Sequence, residues 1–192
     1  ALKVQTDVAQ LSHDDPQARE KALTQLHAGI DRASRLVDQL LTLSRLDSLD
    51  NLDDVEPITL ADLRQSAVLD IWHPAQQAGI DIRLNNHAPQ VKRQGQPLLL
   101  SLLVRNLLDN AIRYSPRGSV VDVTLDARGF TVRDNGPGIS PDALARIGER
   151  FYRPPGQDAT GSGLGLSIVK RIAALHGMRV SLGNAPEGGF ER

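Results

Sequence analysis

The chain contains no cysteine. That excludes disulfide staples, thiol nucleophiles and thiolate metal sites, and it suits a reducing compartment. No apolar run approaches the roughly 18 residues of a bilayer-spanning helix, and the first residues lack the pattern of a secretory signal. Net charge is -1, so no bulk field favours nucleic acid or an anionic membrane, and recognition must be local. There is no internal repeat, no low-complexity tract and no Gly-Lys-Ser/Thr Walker sequence. No methionine opens the chain. It begins at Ala1 in helical pattern and stops at Arg192 in a strand-like run, and so reads as a piece of a longer protein.

What is present is an ordinary globular composition, 40% hydrophobic and 23% charged over 192 residues, enough for one or two modest domains. The first part carries a helical seam. Leu23, Leu26, Ile30, Ala33, Val37, Leu40 and Ser44 follow spacings of three and four, a heptad stripe that buries one narrow face against partner helices. Asp15 before Pro16 is a start signal, an N-cap ahead of a proline at the first helical position. Val4, Val8 and Leu11 extend a similar stripe on a shorter helix, and Ser12 to Asp15 turns the chain between the two. A hairpin with so narrow a stripe does not complete a core alone, and a four-helix bundle from two chains satisfies it. The plainer alternative is that the hairpin packs on the rest of its own chain.

Leu49 to Pro57 is acidic and irregular, a linker. Beyond it the periods mix. Ile58 and Leu60 predict a short strand; Leu63 to Ala78 predicts a helix ended by Gly79; Ile80, Ile82 and Leu84 alternate as a strand. Leu98 to Tyr114 predicts a long helix. Val120 to Leu125 and Phe130 to Arg133 predict a hairpin across residues 126–129. Leu164 to His176 predicts a second long helix, and Met178 to Leu182 a strand. Strands on one side and helices on the other make an α+β sandwich. The expected division is a helical hairpin over 1–50, a linker over 51–57 and the sandwich over 58–192.

Three constellations carry chemistry. Asn106 and Asn110 lie four apart on the long helix, so their amides share a face, with Arg113 and Tyr114 one turn on. An amide oxygen is a hard neutral ligand suited to one position on Mg²⁺, although two helical asparagines taken alone more often mean solvation or a cap. Asp134-Asn135-Gly136-Pro137-Gly138-Ile139 follows a strand. An acceptor-only carboxylate there can take a hydrogen bond from an exocyclic amine such as adenine N6, where guanine would present a repelled carbonyl; in isolation an ordinary Asn-Gly turn explains it equally. Gly161-Ser162-Gly163-Leu164-Gly165-Leu166 precedes an amphipathic helix, freeing backbone N–H groups and a helix N-terminus for phosphate oxygens. That spacing is weak by itself, and no βαβ unit surrounds it. Between the two glycine loops, Phe151 to Gln157 reads as a surface loop that can close over a ligand, with Arg153 offering charge to phosphates.

Their order is what informs. The chain resembles the GHKL (Bergerat) superfamily of ATP-binding domains, and within it sensor histidine kinases, most nearly the QseC-type members. Asn106-Leu-Leu-Asp-Asn110-Ala matches the N box, Asp134-Asn-Gly-Pro-Gly138 the first glycine box, Phe151-Tyr-Arg153 the F box and Gly161-Ser-Gly-Leu-Gly165-Leu the second glycine box. The hairpin is similar to the family's dimerisation domain. The resemblance implies a mixed sheet covered on one face by helices, with ATP and Mg²⁺ as cofactors. It implies that Asn110 ligates the metal, Asn106 lines the phosphate region, Arg113 and Arg153 neutralise phosphate charge, Tyr114 flanks the nucleotide and Asp134 reads adenine. Gly136, Gly138, Gly161, Gly163 and Gly165 give the backbone room, and Ile139, Leu164 and Leu166 complete the cofactor-binding set. Its implied partners are a response-regulator receiver domain and a second copy of the chain, with no nucleic acid; the parent would sit in the inner membrane through other segments, this part lying in the cytoplasm.

One departure limits the activity. The family's H box needs a histidine followed by an acidic residue and then a proline, and none of His13, His27, His73, His87 and His176 has that setting. The first four read as solvated or loop residues; His176 ends a helix, where a positive imidazole would suit the dipole. By resemblance the acceptor lies upstream of Ala1, so no catalytic residue is assigned here, and the expectation is nucleotide binding without self-phosphorylation and a weakened dimer. Two rivals remain. ATP hydrolases of the same superfamily carry a glutamate base where Asn106 stands, and an amide cannot accept that proton. The other is a non-catalytic scaffold that dimerises through the hairpin and binds a partner through the sandwich, and intact Asn110, Asp134 and both glycine boxes speak against it.

Overall fold

A computed structural model of the chain describes residues 2–11, 15–59, 69, 71–88, 90–127, 129–155, 161–185 and 189–191. Two compact units divide within one helix, Ala1–Thr42 and Leu43–Arg192.

The first unit holds α1 (Leu2–Leu11) and all but the last turn of α2 (Pro16–Asp47). Asp15 starts α2 as its position predicts, Oδ1 accepting from the N–H groups of Gln17 and Ala18, both at 3.0 Å. That satisfies two of the donors a helix start leaves unpaired. The expected turn at Ser12 to Asp14 lies outside the described residues. The heptad seam is exposed: Ile30 is 47% and Val37 50% accessible, with Leu23 and Leu40 exposed beside them.

The second unit is an α+β sandwich. Its main sheet has the order β2-β4-β5-β7-β6, from β2 (Asp81–Asn86), β4 (Val120–Leu125), β5 (Phe130–Arg133), β7 (Phe190–Glu191) and β6 (Gly183–Asn184). β2 pairs β4 in parallel, Ile82 opposite Val121, and the remaining pairs are antiparallel, so the sheet is mixed. β4 and β5 form the predicted hairpin with the predicted ends. A small antiparallel ribbon joins β1 (Glu56–Thr59) to β3 (Lys92–Gly95).

Period-2 alternation sends Val121, Val123, Leu125 and Val132 inward. There Val121, Val123 and Val132 meet α3 (71–78) through Ile71 and Ala75, α4 (Pro97–Tyr114) through Val104, Leu107, Leu108 and Ala111, and α6 (Gly165–Leu175) through Val169, while Leu125 packs with Ile58 and Leu100. Full burial of each such valine or leucine contributes about 1.5–3 kcal/mol. α4 starts on Gln96, whose Oε1 accepts from Leu99 N at 2.7 Å, with Pro97 at the first turn. Gly79, at φ +69°, ends α3.

Several expectations shift. β1 starts at Glu56, before Ile58, and Leu60 lies outside the described residues, as do residues 63–68 and 70 of the helix expected over Leu63 to Ala78. Met178 to Leu182 is not a strand: Met178 and Val180 send their side chains into the core, but pairing begins only at Gly183. Apolar alternation reports burial, and the ladder is a separate matter. β3 and the short α5 (Pro141–Arg146, capped by Ser140) went unread. β3 is the polar run Lys-Arg-Gln-Gly, without the alternation that marks a strand.

Candidate functional site

α4 and α6 face each other at the carboxyl half of one and the start of the other. Asn106 is buried at 8% accessibility, its Nδ2 donating to Leu102 O at 2.8 Å, which leaves Oδ1 turned toward α6. A Cβ on Gly165, the first residue of α6, would stand 3.2 Å from Asn106 Oδ1 and 3.3 Å from Asn110 Nδ2. So the two carboxamides and the helix start share one spot, where a Cβ would sit closer than in most Cβ contacts. Asn110 Nδ2 is buried with no hydrogen-bond partner. A buried amide left so costs about 1–3 kcal/mol, an arrangement explained by a ligand that supplies the acceptor. α6 has no side-chain cap, so its first N–H groups are available to an anion.

One turn further along α4, Arg113 is exposed and Tyr114 half-buried. A Cβ at Gly161 would lie 3.7 Å from Arg113 Nη1 and 3.8 Å from the Tyr114 hydroxyl. Tyr114 also reaches the other glycine loop, since its carbonyl would stand 2.7 Å from a Cβ at Gly136. One residue thus touches both loops.

Asp134 is 1% accessible at the end of β5. Its Oδ1 accepts from Gly136 N at 2.9 Å and Phe190 N at 3.2 Å, and its own N–H donates to Phe190 O at 3.0 Å. Backbone donors therefore fix the carboxylate's plane. Gly138, at φ +72°, leads to Ile139, whose N–H donates to Asn184 Oδ1 at 2.8 Å while its carbonyl accepts from Asn184 Nδ2 at 2.7 Å. β6 therefore clamps the first glycine loop.

Gly163 (φ +73°) is locked to the F-box turn: a Cβ there would meet Phe151 backbone atoms at 2.7–3.0 Å, and Phe151 N donates to Gly163 O at 3.1 Å. Arg153 is half-buried just after this turn. Leu164, fully buried, packs with Ile168 and Ile172, and Leu166 packs against the main core. The Leu164 side chain anchors the loop from within, so only its backbone can face a ligand, while the Leu166 side chain is half-buried. Gly156 and Gln157 of the expected closing loop lie outside the described residues.

His176 departs from the reading as a cation on a helix end. Nε2 accepts from Gln96 N at 3.0 Å and Nδ1 lies 2.8 Å from Ile172 O. One acceptor and one donor describe a neutral imidazole that ties α6 to the start of α4. His27, His73 and His87 are exposed.

Sequence reasoning missed three residues of the frame. Asn184 carries no local signal. Phe190 supplies backbone to Asp134 across 56 positions. Gly189, at φ +87°, has its would-be Cβ on the Asp134 carbonyl oxygen; the Gly188-Gly189 pair ahead of an apolar residue was the available hint.

For the metal, the donor set decides. Among the described residues no group of three His, Cys, Asp or Glu side chains could hold an ion. The neutral carboxamide oxygens of Asn106 and Asn110 near Gly165 are the hard donors there, a sparse set that fits Mg²⁺ carried chiefly by phosphate oxygens and water.

The comparisons agree with this geometry. Residues 95–191 match the family described as histidine kinase-, DNA gyrase B-, and HSP90-like ATPase. The chain is 78% identical over 191 residues to the sensor protein QseC of Escherichia coli (strain K12), covering all of this chain and 42% of that protein. It therefore spans less than half the length of that curated relative. The solved cytoplasmic segment of histidine kinase QseC is similar at 64% identity and TM-score 0.61, over 84% of this chain and 90% of that one. Full-length ShkA in complex with AMPPNP is similar at 26% identity and TM-score 0.73, over 98% of this chain and 42% of that one. The chain belongs to the histidine kinase-, DNA gyrase B- and HSP90-like ATPase family, among the sensor histidine kinases that resemble QseC.

Proposed function

We propose that the chain is the ATP-binding catalytic part of a two-component sensor histidine kinase. The whole protein would move the γ-phosphate of ATP to a histidine and then to an aspartate of a response-regulator receiver domain. The observation that carries this is the meeting of Asn106, Asn110 and the uncapped start of α6 at Gly165, with Asp134 fixed at the far side of Tyr114. In this reading Asp134 accepts from the adenine amine. The N–H groups of α6 and the side chains of Arg113 and Arg153 hold phosphate oxygens, and Asn110 presents its amide oxygen to Mg²⁺. When bound, the ion neutralises charge between phosphate groups. The chain's own residues position and screen, which is most of what phosphoryl transfer asks of a protein.

Asn106 favours transfer over hydrolysis, because its Nδ2 is engaged with Leu102 O and an amide is no base for water. None of the chain's histidines has the acceptor's sequence setting, so the chain alone would bind ATP without labelling itself. Residues 1–50 would serve dimerisation and receiver docking, 51–57 would link, and 58–192 would hold the nucleotide. The parent would be an inner-membrane protein with this part in the cytoplasm; the nucleotide-bound ShkA relative supports the ligand class.

Isothermal titration of the chain with a non-hydrolysable ATP analogue, with and without Mg²⁺, tests the reading. Saturable, magnesium-dependent binding is expected. Asp134→Asn should weaken it about tenfold or more, as for the loss of a charged hydrogen bond, and Asn110→Ala should erase the magnesium dependence. A wild-type chain with no saturable binding in either condition ends the proposal.

A further inference from the structure

The last turn of α2 belongs to the nucleotide-bearing unit. Leu43 and Leu46 are buried at 3% and 2%, in one apolar cluster with Leu164, Ile168 and Ile172. Those three residues form the inner side of the segment that presents the glycine loop. Arg171, on α6, donates from Nε to Leu46 O at 3.1 Å and from Nη2 to Leu49 O at 2.7 Å. The last carbonyls of a helix lack partners inside it, so a guanidinium there satisfies them and meets the negative end of the dipole. Asp47, at the end of α2, holds Arg150: Nη2 lies 2.9 Å from Oδ1 and 2.8 Å from Oδ2.

Arg150 immediately precedes Phe151, one of two non-glycine residues with positive φ among those described, at +63°. A bulky side chain in that region is strained and persists only where its surroundings enforce it. Three restraints converge on the segment. Phe151 N donates to Gly163 O at 3.1 Å, Lys170 Nζ donates to Ile147 O at 2.8 Å, and Asp47 binds Arg150. Gly163 is pressed against Phe151 so closely that no Cβ fits. A chain of contacts therefore runs from Asp47 through Arg150 and Phe151 to Gly163 and the start of α6.

We propose that the last turn of α2 is a positioning element of the nucleotide site. Asp47 in that turn, and Arg150 and Arg171, which bind its end, are positioning residues that hold the Phe151 turn, and with it Gly163 and the α6 N-terminus, in the geometry that receives phosphate. This rests on the nucleotide reading above and adds to it that nucleotide affinity depends on how α2 ends. The Asp47–Arg150 pair is partly exposed, 37% and 53% at the side chains, so its share is modest, a factor of about five at most.

The test uses the full chain and two readouts. Titration with a non-hydrolysable ATP analogue and Mg²⁺ is run on wild type, Asp47→Asn, Arg150→Gln, the double variant and the exchanged pair Asp47→Arg with Arg150→Asp. Amide hydrogen exchange is followed at Phe151 and Gly163 to Leu166. Each single variant should bind about three- to fivefold more weakly and exchange faster at those amides. The double variant should be no worse than either single, the exchanged pair should recover part of the loss, and Arg171→Lys should act in the same direction. Wild-type affinity and unchanged exchange in the single variants overturn the proposal, as do losses that simply add in the double variant. If wild type binds no nucleotide, the nucleotide reading fails separately, while faster exchange in Asp47→Asn would still show the mechanical link.

Discussion

The two units treat their apolar residues in opposite ways. Along β4, Val121, Val123 and Leu125 are wholly inaccessible, whereas Ile30 and Val37 on α2 are about half exposed. Both sets were read from equally regular spacing, period 2 in one and heptad in the other. Regular spacing therefore identifies a face that gains by being covered, and leaves open whether the cover comes from the same chain. In residues 43–192 the sandwich supplies it. In residues 1–42 the seam stands ready for other helices, which accords with the dimer proposed above.

The contrast makes quantitative demands. The largest is at Gly189, where any Cβ collides with the Asp134 carbonyl at a φ of +87°. Gly189→Ala should destabilise the second unit by about 3 kcal/mol or more, seen as a lowered urea midpoint or failure to fold. Next is the core. Leu108→Ala, at a site with no accessible surface, should cost about 2–5 kcal/mol, while Ile30→Ala in dilute solution should stay within about 0.5 kcal/mol. Comparable losses at the two positions would mean the seam is covered in solution, and the contrast drawn here would fail. The smallest loss expected inside the second unit is at His176→Ala, which removes the acceptor of Gln96 N and should lower stability by about 1–3 kcal/mol; thermal melts at fixed pH would report it.

Legibility follows the same physics. α4 was visible end to end because Leu100, Val104, Leu107, Leu108 and Ala111 keep helical period on a buried face. The β4–β5 hairpin was visible because alternation and a Gly-containing turn coincide. Within the site, Asn106, Asn110, Asp134 and the glycines were legible because motifs place rare conformations and polar groups at fixed spacing. The frame behind them was not. Asn184 grips Ile139 over 45 positions and Phe190 orients Asp134 over 56, and such partners exist only once the sheet has formed. β3 hid because its residues are polar. Met178 to Leu182 misled because side-chain burial imitates a ladder that the backbone does not make. Leu164 stands within the second glycine box, and the burial of its side chain against Ile168 and Ile172 is a feature the motif does not announce.

α2 is continuous from Pro16 to Asp47, yet the boundary between compact units falls inside it. Linkage then works in both directions. If fraying or twisting of the final helical turn lowers the affinity for a nucleotide, occupancy by that nucleotide must stiffen the same turn by an equal free energy. A probe at the end of α2 would thus report ligand, and a signal arriving along the helix would be felt by the ligand, with no separate relay required.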